Sequence, residues 1–362
     1  MPKAFSILIP TYNERDNIAP LLERIAAALP DIDYEVLFVD DNSHDGTAEL
    51  INSLSNHYPT RVIVRKDKRG LATAVTDGFS WVDSDTILVM DADMQHPPEI
   101  IPSLIQAIQD GADIAVASRY VKGGGTSGWS TIRKIISGGA IMLSHILLPH
   151  SRHVKDPMSG FFAFRRSVIG GVKLSPIGYK ILLEMLVVGK ADKVSEVPFM
   201  FCLRQKGESK LNVSQEGEYL RHLFSLMRRS GEITRFLKFL LVGASGTVVN
   251  LGLLWLLHDQ NTLGWDIRIA LLIAIEMSVF TNFLLNNYFT FRDRRQSGAG
   301  AFIKNCLRYN FFSIPAGLLN WVTTVVLTDK SNGPYIILNL IGIAVAMVWN
   351  FVANSLWTWN KK

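Results

Sequence analysis

The sequence predicts an α/β domain built on a mainly parallel sheet, followed by an all-α domain of four membrane-spanning helices. Three observations carry this. Up to about Asn212, short apolar runs alternate with amphipathic helical stretches, the pattern of a parallel sheet with helices on both faces. From Phe236 onward, long apolar runs alternate with short polar loops. In the first part, polar residues gather where the expected strands end. The chain's 362 residues suffice for two domains, and its 48% hydrophobic share averages two unlike halves.

The expected strands are Phe5 to Ile9, Glu35 to Val39, Val62 to Val64, Thr86 to Met90 and Ile114 to Ser118. The expected helices are Asn17 to Leu29, Thr47 to His57, Leu71 to Val82 and Pro98 to Ile108. Asp45, Gly46 and Thr47 form a turn and helix start. Pro10, Tyr12 and Glu14 follow the first strand, Asp40 and Asp41 the second, Asp91, Asp93 and Gln95 the fourth, and Arg119 the fifth. Each alone reads as a cap or loop residue. Together they mark the carboxyl edge of one sheet, where open α/β sheets bind ligands. Tyr12 offers a ring to stack on a base, and nearby carboxylates accept from base N–H groups or ribose hydroxyls.

The stretch TILVMDADMQ, Thr86 to Gln95, is the most informative. Side chains two apart on a strand share a face, so Asp91 and Asp93 are expected to reach one site. A hard divalent cation takes oxygen ligands and accepts phosphate oxygens as the remainder. The pair therefore reads as a metal site for a nucleoside diphosphate, or else as two aspartates capping the next turn. No glycine-rich phosphate loop is present, which favours a glycosyl donor over an adenylate or phosphoryl site.

Composition excludes other classes. Cys202 and Cys306 lie in different halves without metal spacing, so no disulfide framework is expected and a reducing compartment fits. The net charge of +5 is modest and its basic residues cluster near the apolar spans, so nucleic-acid binding is not suggested. The apolar run in MPKAFSILIPTYN is too short for a signal peptide and ends at Pro10, which places the first domain in the cytosol.

Two segments suit a lipid surface. Trp129 to Leu148 is apolar but carries Arg133 and Lys134 and is broken by Gly138 and Gly139, which favours an interfacial helix over a span. From Glu216 to Arg229, Tyr219, Leu223, Phe224 and Met227 recur at helical spacing beside Arg221, Arg228 and Arg229. That helix suits an anionic membrane surface, or it packs on the first domain.

Four apolar segments follow, Phe236–Leu257, Ile267–Leu285, Tyr309–Leu327 and Tyr335–Leu356, each near the ~20 residues that cross a bilayer. Basic residues concentrate before the first, between the second and third, and after the fourth, which puts both termini in the cytosol. Asn282, Phe283, Asn286, Phe289, Thr290 and Phe291 recur at constant offset as Asn350, Phe351, Asn354, Trp357, Thr358 and Trp359, and Asn250 has a counterpart in Asn320. Two duplicated helical hairpins account for this. Glu276, a charge within a span, is a functional candidate, or lies near an end or pairs with the asparagines.

The strings IPTYNERDNI, VDDNSHDGT, MDADMQHPPEIIP, SRYVKGG, RKIISGGA, DPMSGFFAFRR and GESKL resemble dolichyl-phosphate mannose synthases, family 2 glycosyltransferases, in order and at matching spacing from Ser6 to Leu211. The second half resembles the GtrA-like membrane family, the arrangement of the archaeal type. The resemblance implies a GT-A, Rossmann-like fold over 1–212, an interfacial helix and linker over 213–235, and a GtrA-like membrane domain over 236–362. It implies donor contacts by Pro10, Tyr12, Glu14, Val39, Asp41, Ala92, Asp93 and Gln95. It implies Mg2+ or Mn2+ held by Asp91, Asp93 and Gln95, and anion contacts by Arg119, Arg133, Arg204 and Lys210. Without it, Arg204 and Lys210 read as a solvated loop.

The implied reaction is inverting transfer of mannose from GDP-mannose to dolichyl or another polyprenyl phosphate. The acceptor phosphate would lie on Arg119, Arg133 and Ser137. Asp93, Arg119, Arg204 and Lys210 would serve the chemistry. A phosphomonoester has its second pKa at about 6, so no base is needed to create the nucleophile, and Asp156 is expected only to position. The nearest rival is a UDP-glucose-dependent polyprenyl-phosphate glucosyltransferase. A rival of another class is a transporter or flippase accessory with a vestigial first domain.

Overall fold

The computed structural model describes residues 3–67, 70–178, 180–202, 213–295 and 298–330, and single positions from 337 to 358. Side chains of 213–216 and 328–330 are outside that description. The chain divides into two compact units, Met1–Ser230 and Gly231–Lys362.

In the first unit the elements run β1 (Phe5–Thr11), α1 (Arg15–Ala28), β2 (Tyr34–Asp40), α2 (Thr47–Leu54), β3 (Thr60–Val64), α3 (Leu71–Gly78) and β4 (Thr86–Val89). Then come α4 (Ile101–Gln109), β5 (Ile114–Ser118), β6 (Gly125–Thr126), α5 (Thr131–Leu147) and β7 (Phe162–Arg165). The unit closes with α6 (Ile181–Val188), β8 (Val194–Pro198), β9 (Met200–Phe201) and α7 (Val213–Arg229). The main sheet has seven strands in the order β3-β2-β1-β4-β7-β5-β8, and β6 pairs with β9 beside it. All pairings in the main sheet are parallel except those of β7, which runs antiparallel to both β4 and β5. The sheet is thus the mixed, mainly parallel α/β sheet of a GT-A-type domain.

Alternation along the strands builds a core on each face. Phe5, Ile7 and Ile9 of β1 and Val36 and Phe38 of β2 pack with Ile18, Leu21 and Ile25 of α1 and Leu104 of α4. Leu8, Leu37 and Val39 face the other way, onto Ala72 and Val75 of α3 and Leu182 and Met185 of α6. Side chains alternate at period two, so strands covered on both faces are apolar throughout. Gly78 ends α3 where a Cβ would fall 2.2 Å from Leu8 Cδ1, so a larger residue would push α3 off the sheet. Chain order reverses between β1, which continues to β2, and β4 on its other side. Such a switch point opens a crevice at the strands' carboxyl ends.

A third cluster joins α5, α6 and α7 through Ile141, Leu183, Val187, Leu223 and Leu226, with Tyr219 and Met227 against it. The apolar stripe expected on α7 therefore divides. Tyr219, Leu223 and Met227 pack inward, while Phe224 and Leu220 are 62% and 56% exposed. Packing on the first domain and an exposed apolar face occur on the same helix.

In the second unit, α8 (Glu232–His258), α9 (Ile267–Leu285) and α10 (Ala299–Lys330) are helical, and α9 continues through a π-helical turn at Asn286–Thr290. Glu232–His258, Ile267–Thr290 and Ala299–Leu327 are each long and apolar enough to cross a membrane. The fourth expected span lies largely outside the described residues, although Asn350, Phe351 and Ala353 within it are helical. Buried amides link the helices: Asn339 Nδ2 donates to Asn250 Oδ1 at 2.7 Å, and Thr324 Oγ1 donates to Asn339 Oδ1 at 3.2 Å. Glu276 sits near the middle of α9 rather than near an end, with its side chain exposed and no hydrogen bond to an asparagine among the described residues.

Candidate active site

Most site residues follow the end of a strand, and Arg133 and Ser137 come from α5. Pro10 is buried within β1, in register with Val39 of β2, whose side chain is fully buried in the core. Half-buried Tyr12 and Glu14 follow, and Glu14 accepts from Asn17 Nδ2 at 2.7 Å. Asp40 is a turn-former: it takes Ser43 N at 2.8 Å, Ser43 Oγ at 2.6 Å and Thr11 Oγ1 at 3.0 Å. Asp41 is 6% exposed and accepts from Gly70 N and from Arg65 Nε, both at 2.7 Å. Arg65 also reaches Asp77 at 3.0 Å and Thr73 at 3.1 Å. No motif marked Arg65, because it follows a short, half-exposed strand with nothing distinctive beside it.

The acidic motif is held by a turn rather than by strand alternation. β4 ends at Val89, one residue short of the expected Met90, and the two aspartates lie beyond it. Met94 takes a left-handed φ of 63°, which reverses the chain, and Gln95 N donates to Asp93 Oδ1 at 3.2 Å. Gln95 Nε2 donates to Cys202 O at 3.1 Å, and Cys202 N returns a bond to Gln95 O at 3.1 Å. With its nitrogen so used, the amide keeps its oxygen as an acceptor. Ala92 is buried, Asp93 is 6% exposed, and the Asp91 carboxylate is 34% exposed.

His96, stacked on Phe161 and ringed by Phe199 and Phe201, underlies this turn. Its Nδ1 accepts from Asp91 N at 3.0 Å. Burial pushes its pKa down to about 4. The imidazole is therefore neutral, and its 3.7 Å approach to Asp91 Oδ2 is not an ion pair. Gly160 faces the same carboxylate: a Cβ there would stand 3.4 Å from Asp91 Oδ2. Two carboxylates and one amide oxygen form an all-oxygen donor set that fits a hard divalent cation completed by phosphate oxygens. Among the described residues no group of three or more His, Cys, Asp and Glu side chains could hold a metal ion.

Across the crevice, Arg119 follows β5 and is clamped by Asp156, with Nε–Oδ2 at 2.8 Å and Nη2–Oδ1 at 2.7 Å. The Asp156 side chain is fully buried. Arg119 lies 5.3 Å from the Trp129 ring centroid and Arg133 4.2 Å from the same ring, so one indole supports two guanidiniums. Ser130 caps α5 by accepting from Arg133 N at 3.3 Å. Ser137 lies one turn on, its Oγ 2.9 Å from Tyr120 Oη. Ile132, Ile135 and Ile136 on this helix are 71%, 68% and 53% exposed.

One cleft of about 560 Å³ gathers Asp91, Arg119, Arg133, Ser137 and Lys180, with Met158 and Phe201 on its walls. Lys180 carries no sequence signal. Burial, reinforced by the Arg119 charge, pushes its pKa down to about 7. Arg204 and Lys210 lie outside the described residues.

An α/β sheet with acidic groups at its switch point and paired guanidiniums opposite, joined in one chain to apolar spanning helices, defines a membrane-bound transferase. Residues 6–171 match the family Glycosyl transferase family 2, and residues 238–359 match GtrA/DPMS, transmembrane domain. The chain is 46% identical to a dolichol-phosphate mannosyltransferase of Pyrococcus furiosus, over 98% of this chain and 99% of that one. It is 37% identical to the Saccharomyces cerevisiae protein of the same name, over 61% of this chain and 86% of that one. It is 38% identical to a polyprenol monophosphomannose synthase of Mycolicibacterium smegmatis, over 58% and 81%. Among solved structures, Mycobacterium tuberculosis glucosyl-3-phosphoglycerate synthase with Mn2+ and UDP-glucose aligns at a TM-score of 0.49 and 19% identity, over 63% of this chain and 79% of that one. The chain belongs to the dolichol-phosphate mannosyltransferase family of glycosyltransferases and is a membrane protein.

Proposed function

We propose that the protein transfers mannose from GDP-mannose to dolichyl or another polyprenyl phosphate, with inversion, releasing GDP and the β-linked mannosyl lipid. The observation that carries this reading is the shared cleft, in which Asp91 of the acidic turn faces Arg119, Arg133 and Ser137 at the foot of an exposed apolar helix. The names of the relatives support the mannosyl unit and the lipid acceptor.

Asp91, Asp93 and Gln95 would hold Mg2+ or Mn2+, which neutralises charge on a departing diphosphate. Tyr12, Glu14, Asp41 and the backbone around Pro10, Val39 and Ala92 would bind the nucleotide. Arg133 and Ser137 would grip the acceptor phosphate, since a guanidinium fork matches phosphate geometry. Arg119, held by Asp156, would add a fixed positive charge between acceptor and donor. Lys180 would complete that charge, and Arg204 or Lys210 would help neutralise the departing diphosphate. The acceptor is already an anion near neutral pH, so Asp156 needs no part as a base. Its buried clamp on Arg119 supports a positioning role.

We assign 1–212 to catalysis, 213–235 to an interfacial helix and linker, and 236–362 to a four-helix membrane domain. The charge pattern of the loops supports a cytosolic position for both termini and the catalytic domain. Full-length protein should convert labelled GDP-mannose and a polyprenyl phosphate to a mannosyl lipid by mass spectrometry. Turnover of UDP-glucose with equal efficiency would overturn the donor assignment.

A further inference from the structure

The second unit holds a cleft of about 650 Å³ where α8 begins, beside the π-helical turn that ends α9. Arg235, Lys238, Arg292, Asp293 and Thr290 line it, with Tyr288 and Phe289 at its side. The charges are not alike. Arg235 is spent on Glu232 and on Asp293 Oδ2 at 2.7 Å, and Glu232 also takes Arg294 at 2.6 Å. Lys238 and Arg292 have no carboxylate partner among the described residues, and Lys238 rests 4.9 Å from the Phe289 ring centroid.

Thr290 supplies an independent observation. It is 4% exposed, yet its hydroxyl finds no hydrogen-bond partner among the described residues. A buried hydroxyl without a partner is costly. Its duplicate does not behave this way: Thr358 Oγ1 donates to Asn354 Oδ1 at 2.7 Å. The matching acceptor in the first copy, Asn286 Oδ1, also has no partner among the described residues, so the Thr290 hydroxyl is not turned to it. The basic residues are kept only in part. The register that pairs Asn250 with Asn320 pairs Lys238 with Arg308, whereas the register that pairs Thr290 with Thr358 pairs Arg292 with Asn360. Among the described residues, two cations and an unpartnered hydroxyl converge in the first hairpin.

We propose that this cleft is a binding site for the phosphate of an anionic membrane lipid. Lys238 and Arg292 hold the charge, and Thr290 Oγ1 donates a hydrogen bond to a phosphate oxygen. Basic pockets at the ends of spanning helices suit anionic headgroups. Tyr288 and Phe289, 53% and 48% exposed, stand as aromatic side chains do at a membrane interface, which favours a lipid over free phosphate. The site rests on the membrane unit alone and is independent of the sugar transferred.

The test is thermal unfolding of full-length protein in detergent, titrated with short-chain phosphatidic acid, phosphatidylcholine or inorganic phosphate. Phosphatidic acid should raise the unfolding midpoint, and the other two should not. Lys238→Gln with Arg292→Gln should weaken that response by roughly tenfold or more. Thr290→Val should weaken it while leaving the lipid-free midpoint in place, which keeps the test valid if the double variant fails to fold. Lys304→Gln with Arg308→Gln, exposed basic residues of the second copy, should retain it. An undiminished response in Thr290→Val and the double variant, or an equal response to phosphatidylcholine, would overturn the proposal. Inorganic phosphate reproducing the whole shift would overturn the lipid assignment.

Discussion

The two sides of the proposed active site are built on opposite plans. On the proposed donor side, which we call the donor wall, acidic groups at the end of β2 are buried and already bonded: Asp40 is fully buried among Ser43 and Thr11, and Asp41 is locked by Arg65 and Gly70. On the acceptor wall, cations stack on Trp129, and the helix carrying Arg133 and Ser137 leaves three isoleucines exposed. The first plan fixes loops before a ligand arrives, which lowers the ordering cost of binding a polar nucleotide. The second leaves apolar surface for a partner that is itself apolar, as an acceptor in a bilayer would be.

The contrast breaks first at the acidic turn, where ligation rather than packing is at stake. Asp93→Ala should lower kcat on the order of 10²–10³-fold or more, the scale of losing charge stabilisation at a leaving group. Chelation of the wild type should do the same, reversibly, on readdition of Mg2+ or Mn2+. Full turnover in excess chelator would remove the metal from the reading.

Next comes the donor wall's own frame. The Arg65 and Asp41 side chains are 4% and 9% exposed, so Arg65→Met leaves a buried carboxylate without its counter-charge. Breaking a buried pair from one side costs about 3–5 kcal/mol. Chemical unfolding should show that loss, and Asp41→Asn in the same chain should restore part of it. If Arg65→Met unfolds like the wild type but binds GDP-mannose poorly, the pair serves the nucleotide and not the loop.

Legibility in the sequence followed the same division. The strand-end carboxylates were visible because apolar runs precede them and polar turns follow. β1, β2, β5 and the helices between them were visible because both faces of the sheet are covered and the runs are unbroken. β7 escaped, since an antiparallel strand inserted between β4 and β5 breaks the alternation and its FAFR is short. The division of α7 escaped as well, because a stripe at helical spacing looks the same whether its partner is protein or lipid. Arg65 and Lys180 act through tertiary neighbours distant in sequence, Asp41 and Asp77 for one and Arg119 for the other. No local pattern announces such pairs.

A smaller effect is expected at Asp156, which belongs to the acceptor wall but is buried like the donor wall's acids. Asp156→Asn keeps one oxygen for Arg119 and should retain far more activity than Asp93→Ala. Its pH profile should keep the wild-type acid limb. A loss beyond about 10²-fold with that limb gone is the behaviour of a general base and would transfer that role to Asp156.

The last prediction concerns what holds the acceptor wall in place. α7 closes the cluster that supports α5, and its end is tied down by Glu184, which is fully buried. Burial alone would raise the Glu184 pKa. His222 at 3.5 Å, Ser175 N donating at 2.7 Å, and the Arg229 guanidinium outweigh it and hold the carboxyl below its ordinary value of 4.5. A lowered folded-state pKa means that this stability is fully present above 4.5 and is lost as pH falls toward the folded value. Over that window one group accounts for at most about 1.4 kcal/mol per pH unit. Glu184→Gln should flatten this part of the dependence, while the donor wall, which does not contain Glu184, keeps its own. Hydrogen exchange across α7 between pH 5 and pH 3 measures it directly: protection should fall in the wild type and start lower but change less in Glu184→Gln. Equal acid sensitivity in both proteins would show that α7 is held by Leu223 and Leu226 alone, and that the charge cluster is incidental to the wall.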